Sequence, residues 1–220
     1  AVWQAMLVFD ENGGTEVNDI SQAAGTAITL PTPEKEGFIF AGWYNTDEEK
    51  YESKSMPAAS VELKAGWYEA KEVQKVFIDS TESLKLNIME MFAPRRKSYE
   101  VNLNTILGTE DFKDITPMIH VDIRFSSKSD VDTYKSYPRV FVTKTVDINS
   151  TSIYTQEDFY SGGSTAWQNR QLETNITLYN GVFFVIFQAN EESGSTPNRD
   201  LYISDFYITI TYPDITNLYL

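Results

Sequence analysis

One histidine and no cysteine set the chemical limits of this 220-residue chain. Without cysteine there is no disulfide, thiol nucleophile, Cys-zinc site or iron–sulfur cluster, and a single imidazole cannot build a multi-histidine metal centre. The lone His120 lies in an alternating run with Asp122 and Arg124 at spacings of two, so the three share one face of a strand. A His–Asp pair could serve acid–base chemistry. No nucleophile with a recognisable setting accompanies it, however, and His120 reads as a decoration of a sheet surface. Ser161-Gly162-Gly163-Ser164 lacks the strand–turn–helix context of a nucleophile elbow and reads as a loop. The doublets Glu110-Asp111, Glu157-Asp158 and Glu191-Glu192 set carboxylates side by side. Adjacent residues in strands or turns diverge, whereas glycoside hydrolysis needs two carboxylates aimed at one bond. Asp10, Glu11 and Asn12, and likewise Asn198-Arg199-Asp200, offer oxygens without the spacing of a calcium loop. No catalytic residue, metal ligand or cofactor is assigned, and the chain is expected not to be an enzyme.

The segment 154–170 is the one stretch whose composition suits a ligand. It carries Tyr154, Phe159, Tyr160, Trp167, Gln168, Asn169 and Arg170 around Gly162-Gly163. Exposed rings stack on the apolar faces of sugars, while amide and guanidinium groups fix orientation through planar hydrogen bonds. The candidate ligand-binding set is Tyr160, Trp167, Gln168 and Arg170, and its expected ligand is a glycan. The alternative is structural: Trp167 and Phe159 plug the end of a β-sandwich, which is the preferred expectation.

Charge narrows the partners. Eighteen basic residues against 32 acidic ones leave a formal charge of −14, which opposes nucleic acid and anionic membrane surfaces. The longest apolar run, Val182–Phe187, falls far short of the roughly 20 residues of a membrane helix, so no membrane insertion is expected. The chain begins at Ala1, which reads as a processed product or an excised fragment, and a missing signal peptide says nothing of location.

Alternation and turn punctuation dominate the elements that must position these groups. Residues 5–9 read as a strand entering a turn at Asn12-Gly13, and Val61–Trp67 as another. Asp19–Ala24 is expected to start a short helix capped by Asp19 or Ser21. Beyond residue 73 come longer strands: Leu84–Phe92, Tyr99–Leu103, Met118–Phe125, Arg139–Ile148 and Phe206–Tyr212. Leu172–Tyr179 and Val182–Gln188 flank Asn180-Gly181, expected to form the clearest hairpin of the chain. Val182–Phe187, apolar on both faces, reads as a central strand. Seven or eight strands without a long helix predict an antiparallel β-sandwich of jelly-roll type over 71–220, with the boundary at 69–73.

The first 70 residues carry several separated motifs. Leu7-Val8-Phe9-Asp10-Glu11-Asn12-Gly13-Gly14 is followed by Pro31, then by Glu36-Gly37-Phe38-Ile39-Phe40-Ala41-Gly42-Trp43-Tyr44, and then by Leu63-Lys64-Ala65-Gly66-Trp67. Residues 5–69 resemble the Listeria–Bacteroides, or internalin B-type, repeat. They depart from its pattern at Phe38, where Tyr is usual, and in the acidic insert after Tyr44. The resemblance implies a small β-grasp-like module of bacterial surface and secreted proteins, typically without catalytic activity. A module this small needs large side chains to fill its core, a role suited to Phe9, Phe38, Phe40, Trp43 and Trp67.

The fold expectation is therefore mainly β, a β-grasp-like module over 1–70 followed by a β-sandwich over 71–220. The functional expectation is a non-catalytic cell-surface or secreted module for adhesion or display that binds a glycan or another surface protein. The alternative is a virion component, a capsid decoration or fibre protein, with another virion protein as its partner.

Overall fold

The computed structural model describes residues 4–87, 95–129, 136–149, 151–160, 165–191 and 200–220. Residues 88–92 of the expected Leu84–Phe92 strand, Ser161–Ser164 with the Gly162-Gly163 pair, Glu192, and Asn198-Arg199 lie outside the described residues. The chain divides into two compact units, Ala1–Lys71 with Tyr212–Leu220, and Glu72–Thr211.

The first unit is built on β1 (Gln4–Asp10), β2 (Ile20–Ala23), β3 (Phe38–Tyr44) and the start of β4 (Val61–Ile78). β1 and β4 pair in parallel, from Leu7 opposite Val61 to Asp10 opposite Lys64. β2 flanks β1 and β3 flanks β4, both antiparallel. Alternation decides which face is buried: Ala5, Leu7 and Phe9 turn inward with Leu63, Ala65 and Trp67. Residues 19–24, expected as a helix, instead hold β2. Gln4–Leu7 offers Ile20–Ala23 a strand edge, and Asp19 Oδ1 accepts the Phe9 amide at 3.0 Å, so Asp19 ties loop to strand rather than capping a helix.

Aromatic rings fill this core. Trp43 and Trp67 are 2% and 0% exposed, with Phe9 centred 4.5 Å from Trp43 and Phe40 5.5 Å from both tryptophans. Each indole N–H donates to a carbonyl, Trp43 to Pro31 at 2.8 Å and Trp67 to Glu11 at 3.1 Å. Gly14 is required by packing, since a Cβ there would stand 2.6 Å from the Trp67 ring. The turn before it suits its residues: Asn12 and Gly13 take positive φ, the Asn12 amide donates to Asp10, and the Asn12 side chain donates to the Ala65 carbonyl. The final strand, β12 (Asp200–Tyr219), brings its end into this unit beside β4. There Lys71 lies 3.9 Å from Asp214, and Phe38 meets Tyr219 edge to face.

The second unit is, among the described residues, a jelly roll of eight strands joined by the end of β4 from Glu72 to Ile78. Its strands are β5 (Leu84–Asn87), β6 (Arg96–Asn102), β7 (Met118–Ser129), β8 (Ser136–Thr143), β9 (Ile153–Asp158), β10 (Gln168–Thr177), β11 (Val182–Glu191) and the greater part of β12. One sheet runs β5–β12–β7–β10 and the other β6–β11–β8–β9, all antiparallel. The chain therefore crosses between sheets at nearly every connection, as two interlocked Greek keys require. β11 is central, paired on both edges, and its apolar run Val182–Phe187 explains why. Between the sheets Phe187 contacts Phe125, Tyr99 and Phe206, and Phe159 meets Phe125 edge to face. The short helix α1 (Leu103–Leu107) is capped by Asn102 and ended by Gly108 in the left-handed conformation.

Asn180-Gly181 does form a tight turn, with φ of 53° and 75°. The two strands it joins do not make a hairpin. β10 pairs with β7 in one sheet while β11 pairs with β6 and β8 in the other, and a single bridge, Tyr179 to Val182, links them. Each strand has an apolar row to bury between the sheets, and opposing sheets satisfy both rows where a flat hairpin would not. The consecutive strands that do pair in this unit are β8 and β9, joined through residues 144–152.

Candidate functional site

The pleat of β10 sorts the candidate residues onto two faces. Arg170 stands opposite Phe125 and Gln168 opposite Ser127, both on the core side, since Phe125 is buried. Trp167, Asn169 and Gln171 alternate with them and face outward. The expected constellation of Trp167 with Gln168 and Arg170 is thus divided by the period of two. Arg170 reaches Ser127 Oγ at 3.4 Å, while its Nη2 is buried without a hydrogen-bond partner, and desolvation pulls its pKa down.

Trp167 is 42% exposed, so it does not plug the sandwich. Phe159 does that, buried against Phe125. Trp167 instead opens a row across three strands. Lys128 Nζ lies 4.7 Å from the Trp167 ring and 5.6 Å from Tyr202, which stands opposite Lys128 in β12. The ammonium between two rings holds them by cation–π attraction.

Beyond this row the outer face continues as cross-strand pairs. Asn169 stands opposite Ser126, with Ser126 Oγ donating to Asn169 Oδ1 at 3.1 Å. Gln171 stands opposite Arg124, which stands opposite Tyr207. Arg124 pairs with Asp122 at 3.0 Å, an interaction that raises the guanidinium pKa, and Gln171 donates to Asp122 and Glu173. A cleft of about 400 Å³ opens here, lined by Arg124, Asn169, Gln171, Asp205 and Tyr207, with Arg170 and Phe125 reaching it from the other side of the pleat. It sits at an irregularity of β12 between Ser204 and Tyr207, where Asp205 takes a φ of 50°. Bulges with a strained non-glycine residue re-aim side chains and concentrate at functional sites. Ser204, which the register sets opposite Ser126, is buried, and its hydroxyl donates to the Glu82 carbonyl at 2.9 Å.

Tyr160 follows β9 and belongs to a separate cluster. It is 57% exposed, its ring centred 4.4 Å from the buried Tyr137, beside the two-pronged Arg139–Asp158 ion pair. Burial pushes the Tyr137 hydroxyl up to about 12.

His120 does not engage Asp122. Its Nδ1 lies 3.0 Å from Asn175 Oδ1 across the strand pair, while Asp122 turns to Arg124. Glu110 pairs with Lys113 on the surface, and Glu11 accepts the Val17 amide, so these acids serve local structure. Lys128, Gln171, Tyr202 and Tyr207 are not singled out by the sequence, and Arg124 stands out there only as a neighbour of His120. Their signal was present in the alternation of β7, β10 and β12, but it becomes a site only once the register sets the three strands side by side.

Known proteins match this chain in parts. A Gly-rich membrane protein named in Evansella cellulosilytica is 50% identical over 40 residues, 18% of this chain and 5% of that protein. A second protein of that organism, named as a membrane protein, is 45% identical over 40 residues and 6% of its length, so the chain spans only a small fraction of these relatives. Among solved structures, TmCBM61 in complex with β-1,4-galactotriose aligns with 61% of this chain and 86% of its own, at 14% identity and a TM-score of 0.32. Infectious bursal disease virus, Gt strain, aligns with 96% of this chain and 50% of its own, at 9% identity and a TM-score of 0.42. Likenesses this slight reach proteins of quite different kinds and assign no function. The sequence match of greater weight lies in the first unit: residues 6–66 match the Listeria-Bacteroides repeat domain.

Proposed function

We propose that this chain is a non-catalytic module of a bacterial surface or secreted protein, serving adhesion or display, and that its jelly roll binds glycan on the outer face of β10, β7 and β12. The repeat domain at residues 6–66 supports the surface setting. The observation that carries the binding reading is Trp167, an exposed indole fixed by Lys128 beside a polar cleft. An exposed flat ring costs solubility and stabilises no core, and beside convergent amide and guanidinium groups it suits a sugar ring.

A glycan array probed with the full chain tests this. The expected result is retention on at least one glycan class, lost in Trp167→Ala while the far-ultraviolet spectrum and melting temperature stay unchanged. Absence of binding across the array, or binding indifferent to Trp167, refutes the assignment of this face.

A further inference from the structure

Two contact rows stand on the outer face, four residues apart along β10. Trp167 with Lys128 and Tyr202 forms one, and Gln171 with Arg124 and Tyr207 the other. At a strand rise of about 3.3 Å per residue the rows are about 13 Å apart. Among the described residues Asn169, Ser126 and Ser204 lie between them, and the two serines are short and buried, so the middle of the path is low. The charges along it are accounted for. Arg124 is tied to Asp122 at 3.0 Å, Lys128 lies against two aromatic rings, and Asp205 and Glu173 add negative charge at the cleft end. With Arg170, which also lines the cleft, three cations (Arg124, Lys128, Arg170) stand among three carboxylates (Asp122, Glu173, Asp205), so the described face carries no net charge to attract an acidic ligand.

Resting on the glycan reading, we infer that the ligand is a linear, uncharged oligosaccharide running along β7 and β10, with Trp167 and the Gln171–Tyr207 cleft as separate subsites. A single pyranose is shorter than the distance between the rows and touches one of them. A chain of linked sugars touches both, and the two contacts then reinforce each other because the second forms within the same complex.

Isothermal titration of the full chain with xylo-, manno- and galacto-oligosaccharides of increasing length, and with oligogalacturonides as acidic counterparts, tests this. Affinity is expected to rise about tenfold or more once a neutral chain spans both rows, and then to level off. Trp167→Ala should abolish that gain and leave the affinity for the shortest sugars intact, while Gln171→Ala weakens every length. Both side chains are exposed, so neither substitution threatens the fold. Equal affinity for short and long sugars, or tighter binding of the oligogalacturonides, overturns the inference while leaving glycan binding standing. A chain that binds no sugar in any series overturns both.

Discussion

Replacing Trp67 with alanine should come close to unfolding the first unit. The indole is fully buried, packs edge to face on Phe40, covers Gly14 and donates to the Glu11 carbonyl. Deleting a large buried aromatic costs about 3–5 kcal/mol. The lost hydrogen bond adds little, because the Glu11 carbonyl still receives the Gly14 amide at 3.0 Å. Gly14 has no side chain with which to refill the space, so the cavity should persist and the cost should fall toward the top of that range. A unit of this size holds on the order of 5–10 kcal/mol in total, so half or more of its stability would go. Urea denaturation followed by far-ultraviolet circular dichroism and by Trp43 fluorescence is the appropriate assay. The expected result is an early transition that reports the first unit, separated from a later one little changed from wild type. Trp67→Phe should recover most of the loss, as it keeps an aromatic ring and gives up one hydrogen bond worth about 1 kcal/mol. If Trp67→Ala unfolds at the wild-type urea concentration with an unchanged slope, the indole is not what holds this core together.

Gly14→Ala should act on the same ring from the other side, costing about 1–3 kcal/mol through the 2.6 Å approach to Trp67, read as a lowered melting temperature. Alkaline titration should report on the buried Tyr137 and the half-buried Tyr154. Burial raises Tyr137 and Tyr154 from 10.0 to about 12, so the unfolded chain loses these protons first, and stability should fall as pH rises from about 10 to about 12. Tyr137→Phe and Tyr154→Phe together should flatten that fall in a pH series of urea midpoints. Acrylamide should quench Trp167 readily while Trp43 and Trp67 stay protected, as single-tryptophan variants would show. We propose that residues 72–211 fold alone; cooperative thermal unfolding of that fragment is the expected result, and a molten product would argue against it.

Strand character was legible wherever one face of a strand meets water. The alternation of Met118–Phe125 and Phe206–Tyr212, and the double-sided apolar run of Val182–Phe187, each matched its place in the sheets, because burial is local to the strand. The partner of a strand is another matter. Asn180-Gly181 specified its own backbone, yet the strands it joins separate into opposite sheets, a choice made by distant neighbours such as Phe125 and Phe187 rather than by the turn. Asp19 misled for a similar reason. A capping residue and a strand-tethering residue look identical until the edge of β1 is known. In the candidate site Trp167 is visible as a residue type, whereas the pleat sets Gln168 and Arg170 on the other face of β10 from it, with Arg170 still lining the cleft. Tyr202 and Lys128 lie far from Trp167 in sequence, and only the register of three strands makes them its companions.

Residues Tyr212–Leu220 belong with the unit that begins the chain, which makes that unit discontinuous. Synthesis runs from the first residue to the last, so the ribosome releases the two tryptophan-rich motifs long before the strand that will lie beside β4. Until then, that edge of β4 presents unpaired amides and carbonyls, and Lys71 and Phe38 wait for Asp214 and Tyr219. The jelly roll, whose strands are emitted in between, can therefore reach its final pairing before its predecessor is complete. Birth order and finishing order are reversed. In a secreted or translocated chain this would leave an open strand edge exposed to chaperones and proteases during the interval, and a nascent chain stalled before residue 212 should be cut preferentially in its first 71 residues.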